Sequence, residues 1–372
     1  MRISRFCSAT LAAFGWTVIA VIVGASFSQA AQAPNPAAQP QASPSETGAG
    51  SNDHRISIDV IVADKQGHPV RGLKAGDFTL LDNKAPQKLV AFRATDAETL
   101  RDAPVHVVIV VDMINANFDT VAREREELSQ FLKQDGGELA HPTSIAIFAD
   151  SGAKLQQGFT RDGNALNASF GKQQSALRTI GRNTGFYGAA DRLQMSLDQL
   201  RELAASEATL PGRKLILVIG PGWPLLPGAG NEADVKQRTW VFNNIVQFAN
   251  GLREAHIALY CLDPYDLGRT DPFYYQAFRK GVSAAKNAEY PSLALQVLAE
   301  HSGGQVIING RDIVAELNTA VLDAGASYEL TFEGAPGDHP NEYHALQVHI
   351  DRPNVIIRTT AGYYAHAQPS GQ

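Results

Sequence analysis

Three aspartates stand where apolar runs end: Asp112 closes VHVVIVVD, Asp150 closes TSIAIFAD and Asp263 closes IALYCLD. A carboxylate at the end of a buried strand must be solvated, paired or bound to a metal. The plain alternative is that each begins a loop and caps the following turn, where aspartate is common. A second candidate is the loop GPGWPLLPGAG at 220–230. It has neither the GxxxxGK[ST] phosphate loop nor a GxGxxG opening a helix. Its Trp223, Leu225 and Leu226 either seat on the sheet or form an apolar patch in which the indole anchors a protein partner. The third candidate is DLGRTDPFYYQAFRKG at 266–281, with aromatic and basic residues interleaved. Such a mixture can stack bases, but a lid-like helical insertion fits the acidic chain better.

Motifs for other chemistry are missing. There is no GxSxG nucleophile elbow and no HExxH. His344 and His349 lie five apart on an alternating segment, so they face opposite sides of a strand and cannot share one metal. A hydrolase built from Asp112 and Asp263 stays open, because carboxylates paired in space leave no trace in spacing. The net charge is −6 with no cationic block, which argues against nucleic acid as a partner and against docking on anionic lipid. Of the two cysteines, Cys7 falls in a leader and Cys261 in an apolar strand, so neither a disulfide framework nor a CxxC site is expected.

The elements that must position these residues can be read from periodicity. Residues 1–30 combine Arg2 and Arg5, an apolar stretch and a small-residue end at Ala30, the pattern of a cleaved signal peptide; an uncleaved anchor is the alternative. The chain is therefore expected to be exported, periplasmic or secreted, with the membrane touched only through that leader. Residues 31–53 are Ala, Pro, Gln, Ser and Gly without period, a linker that cannot bury enough surface to order itself. From 54 to 95 the chain alternates, with Ile56, Ile58, Val60 and Val62 on one face. From 104 to 325 continuous apolar runs alternate with helical stripes, which indicates a doubly wound, mainly parallel sheet. From 326 to 366 the chain is β again, with Tyr328, Leu330 and Phe332 on one face and Leu346, Val348 and Ile350 on another. Neither flanking β segment suffices alone. The economical arrangement pairs 54–95 with 326–366 in one β-sandwich-like module from which the α/β domain is inserted; two separate β appendages are the alternative.

VHVVIVVDMINAN, SIAIFADS, RNTGFYGAADRL and RKLILVIGPGW fall in the order and spacing of a von Willebrand factor A domain. With LDNKAPQKLVAF, LALQVLAEHSGG, HPNEYHALQVHID and the terminal GYYA, the chain resembles the VWFA-related acidobacterial domain family from about residue 55 to 365. That resemblance implies a six-stranded Rossmann-like sheet and a metal-ion-dependent adhesion site at its top. The site's ligands would be a DxSxS loop, a Thr before a central helix and an Asp after the fourth strand, hard oxygens suited to Mg²⁺ or Mn²⁺. Here Asp112 matches the first acid and Thr184 the threonine. The two serine positions are Ile114 and Ala116, and Pro221 stands near the last aspartate. Asn115 or Asn117 could substitute through a shifted loop, and Asp150 or Asp263 could approach.

The reading that follows is an exported, non-catalytic recognition module. It would bind a protein or envelope component through strand-top loops that include Trp223, Leu225, Leu226 and Asp263, over a degenerate metal site at Asp112, Asn115 and Thr184. No cofactor is expected. A true Mg²⁺ or Mn²⁺ adhesion domain, a cell-envelope hydrolase and a structural subunit of a secreted assembly are the alternatives.

Overall fold

A computed structural model describes residues 54–95, 105–174, 185–224, 233–262, 274–308 and 312–365. The leader at 1–30 and the linker at 31–53 lie outside the described residues. The fold is mixed α/β, with one mainly parallel sheet and two antiparallel ones.

The antiparallel part draws on both ends of the described chain. Its strands are β1 (Arg55–Asp64), β2 (Phe78–Asp82), β3 (Ala85–Gln87) and β4 (Leu89–Thr95) from the first end. The α/β body begins with β5 (His106–Asp112), α1 (Phe118–Leu132), β6 (Glu138–Ala149), β7 (Gly152–Leu155) and β8 (Thr160–Asp162). It continues through α2 (Gly163–Gln174), α3 (Gly185–Ala208), β9 (Lys214–Ile219), α4 (Val235–Glu254) and β10 (Ile257–Leu262). After α5 (Leu295–His301), β11 (Gln305–Ile307) and α6 (Ile313–Leu322), the chain returns to β12 (Ser327–Glu333), β13 (Glu342–Ile350), β14 (Val355–Thr359) and β15 (Gly362–Ala365).

One antiparallel sheet runs β14-β1-β12-β4 and the other β15-β13-β2-β3, so each mixes strands from both ends. They share a core of Ile58, Val60, Val62, Leu80, Leu330, Phe332 and Tyr363. The alternation of β1 puts these residues on one face, but Ile61 and Ala63 of the same strand are also buried. Sequence alternation alone would leave that second face wet. A polar cluster is sealed inside as well. The Tyr363 hydroxyl donates to Asp82 Oδ2 at 2.8 Å, and His344 Nδ1 lies 2.9 Å from Asp82 Oδ1.

The other sheet runs β11-β10-β9-β5-β6-β7, with β8 also pairing with β6. β5, β6, β9, β10 and β11 are mutually parallel, and β7 and β8 are antiparallel additions. Both faces are covered, which explains the unbroken apolar runs. Val108 and Val110 of β5 face a core shared with Leu193, Leu197, Val241, Ile245 and Leu298 from α3, α4 and α5. Val107, Ile109 and Val111 face the opposite core, with Leu128, Leu166 and Leu317 from α1, α2 and α6. Each such aliphatic side chain contributes roughly 1.5–3 kcal/mol when fully buried. Among the described residues no helix is long and apolar enough to cross a membrane.

Candidate functional site

The order of the parallel strands reverses between β5 and β9, whose ends pair at Val111 and Ile219. In open α/β sheets the crevice beyond the strand ends at such a switch is where ligands bind. Asp112 sits there and is fully buried. Its Oδ1 accepts from the backbone N–H of Ile114 at 2.9 Å and of Asn115 at 3.2 Å. Its Oδ2 accepts from Asn115 Nδ2 at 2.7 Å. That amide also donates to the Ser196 hydroxyl of α3 at 2.9 Å. The carboxylate thus organises its own loop, and Asn115 ties the loop to the neighbouring helix. Asn117, two residues on, caps α1 by accepting from the Thr120 N–H at 2.8 Å.

These described residues do not fit a divalent cation. Ile114 and Ala116 carry no side-chain oxygen and are buried, at 0% and 1% exposure. Asn115 turns its N–H₂ toward Asp112, and its Oδ1 is buried without a hydrogen-bond partner among the described residues. Asp150 lies in the exposed β6–β7 turn. Among the described residues no group of three His, Cys, Asp or Glu side chains could hold a metal ion. Thr184 and Asp263 lie outside the described residues, as do Leu225 and Leu226.

Of the two placements open for Trp223, a seat on the sheet or an anchor for a partner, the structure contradicts the anchor: the side chain is 2% exposed and packs in the core with residues of the sheet and of α3, α4 and α5. The glycines before it explain the turn. A Cβ on Gly220 would come within 3.0 Å of Asp112 Cβ. At Gly222, with φ +88°, a Cβ would lie 2.5 Å from Gln296 Nε2. The run Gly220–Trp223 therefore lays the chain flat over the switch point and turns the indole inward.

Sequence reasoning missed the polar residues that brace this end. Gln199 of α3 grips the end of β6 from both sides: its Oε1 accepts from the Ala149 N–H at 3.1 Å and its Nε2 donates to the Ala149 carbonyl at 2.8 Å. The available signal was Ser196 and Gln199 interrupting the apolar stripe of Leu193, Leu197 and Leu200. From the 266–281 segment, Tyr275 is buried and Arg279 forms an ion pair with Glu300 of α5; residues 263–273 lie outside the described residues.

Among the described residues, this end exposes three bulky apolar side chains. Phe118 is 67% exposed, Tyr187 82% and Val235 81%. Each belongs to the first turn of its helix, α1, α3 and α4 in turn. α1 follows β5, α4 follows β9, and α3 runs into the start of β9, so all three first turns lie toward the end of the sheet where the parallel strands finish.

No family model matches the sequence, and no curated protein matches it. Among solved structures the fold is similar to the TFIIH p34 N-terminal domain, with TM-score 0.30 and 14% identity over 59% of this chain and 98% of that one. It is also similar to the pilus adhesin SpaC from Lactobacillus rhamnosus GG, with TM-score 0.34 and 10% identity over 79% of this chain and 49% of that one. The human COPII-coat protein Sec24c gives TM-score 0.31 and 11% identity over 71% of this chain and 44% of that one. The chain thus spans about half or less of the latter two proteins.

Proposed function

We propose that this chain is an exported, non-catalytic recognition module. Its α/β body is of the von Willebrand factor A type, framed by a β-sandwich-like module, and it binds a protein or envelope component through the strand-top end of the parallel sheet. The observation that carries the reading is the trio Phe118, Tyr187 and Val235, bulky apolar side chains displayed at one end of an acidic protein. Contiguous exposed apolar surface marks an interaction site; α3 and α4, which carry Tyr187 and Val235, cover one face of the sheet, and α1, which carries Phe118, covers the other. The strand order, reversing between β5 and β9, supports the domain type. Export rests on the leader pattern at 1–30.

Binding would be driven by burial of this apolar crown and by the shape of its loops. Asp112 is committed to backbone and amide donors, which weighs against both the Mg²⁺ or Mn²⁺ adhesion reading and a hydrolase acting through Asp112 and Asp263. The test is parallel capture from envelope extract by wild type and by the double variant Phe118→Ser, Tyr187→Ser. Partner recovery should fall at least about tenfold, equivalent to about 1.4 kcal/mol, with an unchanged melting temperature. Equal recovery by both proteins would remove the crown from the reading. Melting with Mg²⁺, Mn²⁺ or EDTA should give coincident curves. A bound ion at 100 times its Kd would instead add about 2.7 kcal/mol of stability.

A further inference from the structure

A second site lies at the junction of the sandwich and the α/β body, where the end of α4 meets the start of β1 and the end of β15. A cleft of about 260 Å³ opens there, its wall including His54, Arg55, Arg253, Glu254, Pro336 and Tyr364. Arg253 is its core. The side chain is only 8% exposed, yet among the described residues its one ion pair is with Glu254, whose own side chain is 58% exposed. That contact is a single hydrogen bond, Nη2 to Oε1 at 2.8 Å, and Nε is buried with no acceptor.

A guanidinium has five N–H donors in a planar fork and keeps its charge. Burying it beside one solvated acceptor leaves the Nε–H without a partner among the described residues, a costly state for a donor of a charged group. Burial pulls the Arg253 pKa below the usual arginine value, with Glu254 opposing. The Tyr363 hydroxyl beside it donates to Asp82 and forms no hydrogen bond with the Arg253 Nε–H. Arg55 stands exposed at the rim. The cleft wall therefore carries two arginines against the one carboxylate of Glu254.

We infer that this cleft binds a small organic monocarboxylate. The carboxylate would meet the Arg253 fork, where bidentate pairing is favoured, and the apolar body would lie against Ala335 and Pro336. Two arginines beside the Glu254 carboxylate, with Glu333 opposite Arg55 across the strand pair, match a monoanion better than a dianion such as phosphate. The volume suits a molecule of benzoate size, not a macromolecule. This site is separate from the crown and does not depend on the recognition reading.

Isothermal titration of the purified protein with sodium benzoate tests it, with inorganic phosphate and benzamide as comparison probes in matched salt. Benzoate should bind with a Kd of about 1 mM or tighter and more weakly as NaCl is raised. Benzamide and phosphate should bind at least about tenfold more weakly. Arg253→Gln should abolish benzoate binding. Arg55→Glu, a rim change on an exposed side chain facing Glu333 across the β1–β12 pair, should weaken it several-fold while the protein still melts cooperatively at a slightly lower temperature, so a folding defect in the first variant cannot decide the outcome. Absence of benzoate binding to wild type, binding indifferent to Arg55→Glu, or a preference for phosphate or benzamide would each overturn the proposal.

Discussion

His256 Nδ1 lies 3.0 Å from Asp59 Oδ2, joining the start of β10 in the α/β body to β1 of the antiparallel sheets. The two residues are 197 positions apart, so the pair exists only because the chain ends fold back onto the inserted body. His256 takes φ +52° to reach this position.

The pair makes stability depend on pH. Its hydrogen bond to Asp59 raises the His256 pKa, desolvation opposes this, Asp59 and Glu329 attract the imidazolium, and Lys214 repels it. A raised folded-state pKa means the folded protein binds the proton more tightly than the unfolded chain. The contribution is fully present below the unfolded value of about 6.5 and is lost as pH rises through the higher folded value. Thermal melts should show stability declining across that window, and His256→Gln should flatten that segment of the profile. A profile identical in wild type and variant would show that the pair is not coupled to folding.

Asn115→Ala should lower unfolding stability by about 1–3 kcal/mol, because it strips one donor from a buried carboxylate and unties the loop from Ser196. Urea denaturation measures this. A neutral result would mean that the Asp112 backbone contacts alone hold the loop.

The turn over the switch point should be intolerant of side-chain atoms at one position and of their loss at the next. Gly222→Ala should cost about 1–3 kcal/mol, from the left-handed backbone and the collision with Gln296. Trp223→Ala should cost about 3–5 kcal/mol through the cavity it leaves. Denaturant midpoints check both. A Trp223→Ala protein as stable as wild type would contradict the core placement.

A buried charge cluster also joins the modules. Arg358 of β14 pairs with Asp323, which is 1% exposed and accepts from the Tyr260 hydroxyl at 2.7 Å. Arg358→Met should destabilise by about 3–5 kcal/mol, since Asp323 would keep its charge without its cation. The companion Asp323→Asn, Arg358→Met should recover part of that loss in a double-mutant comparison. No recovery would show that the two residues act independently.

The sequence by itself determined where the elements lie and which faces are apolar. The stripe Val241, Ile245, Phe248 and Leu252 is the buried face of α4, and the apolar runs at 214–219 and 257–262 are strands buried on both sides. This works because periodicity records which side of a helix or strand avoids water, a local property. Only the tertiary structure decided what the polar groups do and which way Trp223 points. An aspartate ending an apolar run reads the same whether it holds a metal, a substrate or its own loop. The difference lies in Ser196, 81 residues from Asn115, and in two glycines that let backbone press against Asp112 and Gln296. Arg253 was equally silent, as one basic residue in the last turn of a helix. Its burial and shortage of acceptors arise from strands at both ends of the described chain closing over it, and such long-range desolvation leaves no periodic mark in a sequence.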